Sequence, residues 1–482
     1  MMAEKHPSAR ATFLIALPDE LIQQILSYLS ALDVVSISST CQTLYQQAQD
    51  DKLWEGLVNE NLPKRIDHPG PFDSFRNLYS AHHPYWFLPK NKIWFSDGEY
   101  TGRLIIARYD NRRGVIEAFR LLAELKEETF TQWSSNPEVI IQSFNPQLRL
   151  WMDDPVIELR NPQGLLPRNR QYCPDQFKMT MSSYGQGVYS SFALCRGNVG
   201  RDPSLPSDLV WPPITIPAER SLRKNQERLT DENSNTFLQA QRESPDPRAL
   251  SETSFYLRKW LHFGLGQPIV PHDQGFHLSM FATLDPEIYT PTKEKPYQGI
   301  WVGDYNFHGC EFLLFLQRDP GSATPLSNSA RRETRLISNG LHNLYNNQNN
   351  GGGAHGVDEW ERASLPETQI TTQADGSEDT GVSGRLEGIK LTGDPNIPRG
   401  EISFVAEDIG PSGTVYFSHD EEFGGARVVR SKGHIAFQQF TDDQWVNTEL
   451  ILISPDCVAQ YWKPMRHVSY FRRVDVDQFA RV

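Results

Sequence analysis

Cysteine is scarce in this 482-residue chain. The five present, at positions 41, 173, 195, 310 and 457, are scattered and odd in number, which argues against a secreted disulfide framework and predicts a reducing, cytosolic or nuclear setting. No secretory leader precedes Ala11 and there is no Asn-x-Ser/Thr sequon. No apolar run reaches the length that crosses a bilayer, so a soluble protein without membrane contact is expected. A basic excess is also missing. Lys and Arg number 47 against 60 Asp and Glu, for a net charge of -13. That is the wrong sign for a nucleic-acid binder, whose affinity rests on cationic contacts to phosphate. Catalytic signatures are absent as well: no Gly-x-Ser-x-Gly elbow, no phosphate-cradling Gly-x-x-x-x-Gly-Lys-Ser/Thr loop and no His-Glu-x-x-His. Cys173 and Cys195 lack the paired spacing of a zinc site. No catalytic residue, metal ligand or cofactor is assigned, although a triad built from residues distant in sequence stays open.

What is present begins with a helical pattern over residues 11–63, after a polar tail at 1–10 expected to be disordered. Pro18 suits a first helical position, and Asp19 and Glu20 complement the positive end of the helix dipole. Leu21, Ile22, Ile25, Leu26 and Leu29 recur at helical spacing. A second run, Asp33 to Ser38, reads as capped by Asp33, and Asp51-Lys52-Leu53-Trp54 opens a third. Three short helices have little interior of their own, so a partner surface is a natural cover for the remaining apolar face.

The order Leu17-Pro18-x-Glu20, Ile25-Leu26-x-Tyr28-Leu29, Val34-Val35, Cys41, Leu44 and Leu53-Trp54 resembles an F-box. The resemblance implies docking on a Skp-type adaptor and, through it, on a cullin–RING ubiquitin ligase. It puts Leu17, Pro18, Leu21, Ile25, Leu29, Val34, Val35, Leu44 and Trp54 forward as adaptor-binding residues.

Beyond a linker and short helix at 64–82, the periodicity turns to strands. The aromatic runs His83 to Pro89 and Ile93 to Phe95 suit a pleated, half-buried surface. Gly102 to Tyr109 reads as a strand with a turn at Asp110 to Gly114, and Val115 to Leu122 and Val139 to Phe144 continue the pattern. The region 160–274 reads as helical and loop decoration, with helices over Ala218 to Arg242 and Ser254 to Phe263. Gly299 to Leu316 is a hairpin turning at Asn306 to Gly309. Residues 319–385, rich in Asn, Gly, Ser and Thr, hold too few apolar side chains to offset conformational entropy and read as a disordered insertion. Strands resume from 386 to the end. The fold class is therefore α+β multidomain: a small all-α head, then a mainly antiparallel β-barrel domain over 83–318 and 386–482, with helical decorations and a disordered insertion.

Two segments flank that insertion: Gly303-x-Tyr305-x-x-His308-Gly309-x-Glu311, and Leu391-Thr392-Gly393-Asp394-Pro395-Asn396-Ile397-Pro398-Arg399-Gly400. Together with Trp86 and Asp153-Asp154-Pro155, they resemble the C-terminal domain of the family of F-box only protein thirty-one and its fungal and plant relatives. The resemblance implies a β-barrel that captures protein substrates for ubiquitylation. Trp301, Tyr305 and His308 become candidate substrate contacts at a barrel mouth. Each has a structural reading too: His308 caps the hairpin, and Trp301 and Tyr305 fill the barrel. The reading is a non-catalytic substrate receptor, with a non-ligase adaptor partner and a small-ligand barrel or enzyme as the alternatives.

Overall fold

The computed structural model describes residues 14–96, 101–125, 129–153, 155–160, 177–180, 188–196, 216, 250–262, 268–269, 278–305, 308–320 and 382–482. The tail at 1–10, the helix read at Ala218 to Arg242 and nearly all of the insertion lie outside them.

Four short helices form the head: α1 (Asp19–Leu26), α2 (Ala31–Ser38), α3 (Gln42–Gln47) and α4 (Asp51–Asn59). Pro18 is the N-cap rather than the first helical residue. The cap of α2 is Ser30, whose hydroxyl accepts the Asp33 N–H at 3.2 Å. Serine one turn before an acidic residue caps as well as aspartate does, so both residues fit the pattern and register decides between them. Helix α5 (Phe75–His82) follows, then α6 (Phe87–Asn91). The aromatic run at His83 to Pro89 is thus turn and helix, not strand. Its rings fill a core instead: Trp86 lies against Tyr79 and Tyr109 at 6.0 and 5.4 Å, and its indole N–H reaches the Tyr79 carbonyl at 3.0 Å.

The first sheet holds β1 (Ile93–Ser96), β2 (Leu104–Asp110), β3 (Val115–Glu124), β6 (Gln147–Leu150), β7 (Ile157–Arg160) and β8 (Phe177–Thr180). It continues with β9 (Val188–Arg196), β10 (Leu250–His262), β11 (Pro268–Ile269) and β12 (Leu278–Thr283). Strands β4 (Phe130–Trp133) and β5 (Asn136–Gln142) form a hairpin that joins the second sheet. Along the first sheet the order is β6-β3-β2-β1-β12-β10-β9-β8. The segment Ser254 to Phe263 is therefore strand through His262, not helix. Its aromatic-rich sequence is paired on both edges, with β9 and β12, and Phe255 and Leu257 point into one core. Ladder pairing on two sides overrides a weak helical pattern.

Period-two alternation makes this sheet a divider. Trp94, Ile105, Ala107 and Tyr109 face the head and share its core with Ile22, Val34, Trp54 and Leu78. Ile93, Phe95, Leu104 and Ile106 face the other way, onto Ile300, Val302, Phe312, Leu314 and Ile389.

Those last residues are the outer wall of a closed barrel. A short helix α7 (Pro286–Tyr289) leads into β13 (Gly299–Asp304), β14 (Cys310–Arg318), β15 (Arg385–Lys390) and β16 (Ile402–Ala406). Then come β17 (Thr414–Phe417), β18 (Arg427–Phe437), β19 (Thr441–Ser454), β20 (Cys457–Trp462), β21 (His467–Arg473) and α8 (Val476–Ala480). The order β13-β14-β15-β16-β18-β19-β20-β21 closes where β13 pairs with β21, making an antiparallel barrel of eight strands. An aromatic plug fills one half of the interior. Trp301 stacks on Phe315 at 4.4 Å, and Phe404 and Phe471 meet Phe315 edge-on at 4.9 and 5.4 Å. Glycine makes room for it, since a Cβ at Gly388 would lie 2.2 Å from the Phe404 ring and one at Gly303 2.5 Å from Phe471. Among the described residues no helix is long and apolar enough to cross a membrane.

The second half of the barrel begins before Arg385. Val382 is buried in the plug, the Ser383 carbonyl accepts from Gln317 at 3.1 Å, and the Ile409 N–H bonds the Gly384 carbonyl at 2.9 Å. Replacing 321–381 by a short Gly-Ser linker is therefore expected to preserve one cooperative melt, because closure entropy changes by only ~0.6 kcal/mol per doubling of loop length. Extending the replacement through Gly384 is expected to lower Tm measurably. Calorimetry of the two variants checks both.

His82 gives the fold a pH dependence. It is fully buried, its Nε2–H donates to the Gly114 carbonyl at 3.0 Å, and the rings of Trp86 and Tyr109 flank it at 5.5 Å. Burial pushes its pKa down to about 4, against the opposing pull of the Gly114 bond. The unfolded chain then binds the extra proton between pH 6.5 and 4, so stability falls as pH drops through that window and levels off below it. The loss expected is about 3 kcal/mol. Chemical denaturation from pH 7 to 4 measures it, and His82→Gln is expected to flatten the slope.

Candidate functional site

Two places in the molecule combine exposure or charge with unusual chemistry. On the head, Ile22 and Leu26 are buried at i,i+4 spacing, while Leu21 and Ile25 at the same spacing face out. Helix α1 is thus apolar on two stripes and only one has a partner. The outer stripe is joined by Leu17, Val35 and Tyr45, by the exposed ring of Pro18, and by Tyr28, which is 80% exposed. Such a patch on a folded surface marks a site of association. The structure divides the adaptor candidates. Leu17, Pro18, Leu21, Ile25 and Val35 form the open face, Leu29 is half-buried, and Val34, Leu44 and Trp54 are core. Trp54 anchors that core by donating its indole N–H to the Ala48 carbonyl at 2.8 Å. Tyr28, part of the motif and in the turn after α1, and Tyr45 on α3 are exposed too but are not among the adaptor candidates.

The second place is the polar half of the barrel, toward the connections at 305–309, 391–401, 438–440 and 463–466. Inward side chains there are hydrogen-bonded. Ser431 and Thr448 meet at 2.7 Å, Gln460 donates to Thr448 at 3.2 Å, and the Trp462 indole N–H reaches the Ser469 hydroxyl at 3.1 Å. Gln460 is fully buried, and among the described residues its Oε1 has no hydrogen-bond partner.

At the heart of this half lies Lys390, fully buried. Its ammonium is 2.9 Å from Glu311, contacts Asp394 directly, and sits 3.8 Å from the centre of the Tyr305 ring. The Tyr305 hydroxyl meets Ser403 at 2.7 Å. The turn after β15 aims Asp394, whose Oδ1 accepts the N–H groups of Asn396 at 2.6 Å and Ile397 at 2.8 Å. Gly393 makes that turn possible with φ +67°, where a Cβ would collide with the Arg399 backbone. One lysine faces two carboxyls, so the two cannot ionise equally. Burial lifts Glu311 well above the usual carboxylate range despite the nearby ammonium. Burial would raise Asp394 too, but the Lys390 charge and the hydrogen bonds to it prevail and hold it at about 2. The cluster is then centred on the Lys390–Asp394 pair, with Glu311 the carboxyl whose anionic form burial disfavours most. Tyr305 is also pushed well up, by burial first and Glu311 second.

Trp301, Tyr305 and His308 separate in this geometry. Trp301 is in the aromatic plug, its indole N–H on the Tyr297 carbonyl at 3.0 Å. Tyr305 lies in the charged cluster. His308 is exposed in the hairpin turn, with its backbone N–H on the Tyr305 carbonyl at 3.2 Å. Among the described residues, no group of three or more His, Cys, Asp or Glu side chains is arranged to hold a metal ion.

Comparison with known proteins fits both places. Residues 14–60 match the F-box-like family and residues 281–478 match the family described as the Cyclin D1 binding domain. A stretch of 102 residues is 30% identical to Protein EXECUTER 1, chloroplastic, of Arabidopsis thaliana. That likeness covers 18% of this chain and 14% of the plant protein.

The charge assignment is testable. Lys390→Met leaves a buried carboxylate unpaired and is expected to cost about 3–5 kcal/mol. Glu311→Gln keeps the shape of a group whose anionic form burial already disfavours, and is expected to cost less, about 1 kcal/mol. Equal losses in urea denaturation would mean that Glu311 is ionised.

Proposed function

We propose that this chain is the substrate-recognition subunit of a Skp–cullin–F-box ubiquitin ligase, working in the cytosol or nucleus. The observation that carries the reading is the open apolar stripe of Leu17, Leu21, Ile25, Tyr28 and Val35 on a segment that matches the F-box-like family. A Skp-type adaptor covers that stripe and links the chain to the cullin. The barrel captures the protein to be ubiquitylated. Its match to the Cyclin D1 binding domain makes a cyclin a fitting probe, and the ordering of the sequence motifs favours the family of F-box only protein thirty-one. Bond-making and bond-breaking then fall to partner subunits, and this chain contributes proximity and orientation.

Within the barrel, the polar half is the receptor surface in this reading. His308 is exposed in the turn, and in the interior Gln460 carries a carbonyl oxygen without a hydrogen-bond partner among the described residues, as capture of a peptide terminus or loop requires. Trp301 and Tyr305 shape that surface from behind, through the plug and the Lys390 cluster.

Because Leu21 and Ile25 are exposed, charged residues there leave the fold intact, and the test is clean. Leu21→Asp with Ile25→Asp is expected to weaken adaptor binding at least a hundredfold, since buried apolar anchors carry most of an interface's energy. The thermal melt and the pull-down of cyclin D1 by the barrel are expected to be unchanged. Undiminished co-purification of adaptor and cullin with the double variant would overturn the proposal.

A further inference from the structure

Closure of the barrel hides the edges of its eight strands, but β17 stands outside that ring. Strand β18 pairs with β16 at Gly433 and Lys432, and β17 pairs with it further along, at Arg427 to Val429. Among the described residues β17 has no strand on its other side. Val415, Tyr416 and Phe417 are all exposed. Tyr416, opposite Val428, lies on the outer face of the wall. Phe417, opposite Arg427, lies on the other face, 5.6 Å from that guanidinium. Lysine or proline within an edge strand guards it against pairing, and Thr414-Val415-Tyr416-Phe417 holds neither.

The free backbone groups on this edge are self-complementary. The Ser418 N–H donates to the Ala426 carbonyl and the Arg430 N–H to the Gly413 carbonyl, both at 2.9 Å. Those bonds flank the Phe417–Arg427 and Thr414–Val429 pairs, so the N–H and C=O groups of Phe417 and Thr414 themselves point away from β18. The irregularity between Thr414 and Tyr416 brings both ends of the strand into this phase. A second β17 running antiparallel, with Thr414 opposite Phe417, presents the same groups reversed. Each Phe417 N–H then meets the Thr414 carbonyl of the other copy.

Charges beside the strand follow the same symmetry. Arg430 stands at the Thr414 end, exposed, with its guanidinium on the Ser412 carbonyl. Its cross-strand neighbour Glu449 is bound to Lys463 at 2.6 Å. Glu421 is exposed beyond the Phe417 end. Among the described residues neither Arg430 nor Glu421 has an ion-pair partner. Other charges nearby are engaged: Asp408 with Ser412 and the Gly384 and Gly410 N–H groups, Asp420 with Trp133 and Ser135, and Glu422 with Ser134. Two-fold pairing sets each Arg430 beside the turn at 418–422 of the other copy, where Glu421 is the carboxylate left over.

We propose that two copies of this chain associate through β17, paired antiparallel about a two-fold axis, with Arg430 and Glu421 in contact at both ends. Such an isologous contact closes at a dimer. It is short, so it belongs with the weak, reversible interfaces. No residue of the adaptor stripe or of the polar end of the barrel takes part, so a dimer presents two adaptor faces and two receptor surfaces together.

Sedimentation equilibrium of the full chain is expected to show a reversible monomer–dimer equilibrium as concentration rises to roughly 100 μM. Val415→Lys with Phe417→Lys, both at exposed positions, is expected to weaken dimerisation at least tenfold at unchanged Tm. Glu421→Arg and Arg430→Glu are each expected to weaken it about threefold, and their combination to restore it. Glu421 has no contact to lose, so its variant keeps the fold. A monomer at every concentration overturns the proposal and leaves the edge to an extended segment of a different protein. Dimerisation untouched by the lysine pair, or a combined charge reversal no better than the single ones, overturns it as well.

Discussion

The polar half of the barrel depends on one buried ammonium. Lys390 stands at the end of β15, and the groups it holds come from β14, from the turn that follows β15, and from the β13–β14 turn. The contacts with Glu311 and Tyr305 join chain on either side of residues 321–381. The ammonium thus does for the polar half what Phe315, Phe404 and Phe471 do for the apolar half. The difference is in kind. A plug of rings tolerates modest changes of shape, whereas a lysine without water needs an anion at hydrogen-bonding distance and an aromatic face where no anion fits. Having two carboxyls within reach, it favours the anionic form of Asp394 over that of Glu311.

That arrangement leaves room for the proposed receptor surface close to a core. Strands β1 and β2 of the first sheet bury both faces, one on the head and one on the barrel wall, so neither of their faces is free for a partner. The apolar half of the barrel is filled. Capacity for recognition is left at the polar end, where hydrogen-bonding groups are fixed by neighbours, and on the outer stripe of α1. The two surfaces belong to different elements and are connected through a continuous core that runs from Ile22 and Trp54 to Trp94 and Phe255. A head without that core would have little to define its angle to the barrel.

Much of this was legible in the residues. The head's helices follow from apolar spacing and acidic first turns, and the β13–β14 hairpin follows from two apolar runs around a turn. The F-box motif mixed two physical classes, however. Leu21 and Ile25 face out while Val34, Leu44 and Trp54 face in, and spacing alone cannot sort them on helices this short. Residues 254–262 carry apolar groups at intervals that suit a helix as well as a strand. What decides is a neighbour on each edge, β9 at one and β12 at the other, and those strands are supplied by distant sequence. The same holds for Trp301. Alternation puts it on one face with Gly303, but only the ring of Phe471 shows that this face is inward.

Glu311 and Asp394 illustrate a further limit. Both sit in motifs that stand out in the sequence, and Asp394 reads well as a turn residue, which it is. Their shared partner is invisible there because Lys390 looks like one more charged residue at a strand end. Burial is the missing quantity. An exposed lysine in that position would add little to stability, whereas a buried one fixes the protonation of its neighbours and the path of the turn. The connection 391–401, which carries the most distinctive motif after the head, is therefore held in place by a residue just outside the motif. Its short Gly393 turn and the two N–H groups on Asp394 shape it, and the ammonium fastens it to the barrel.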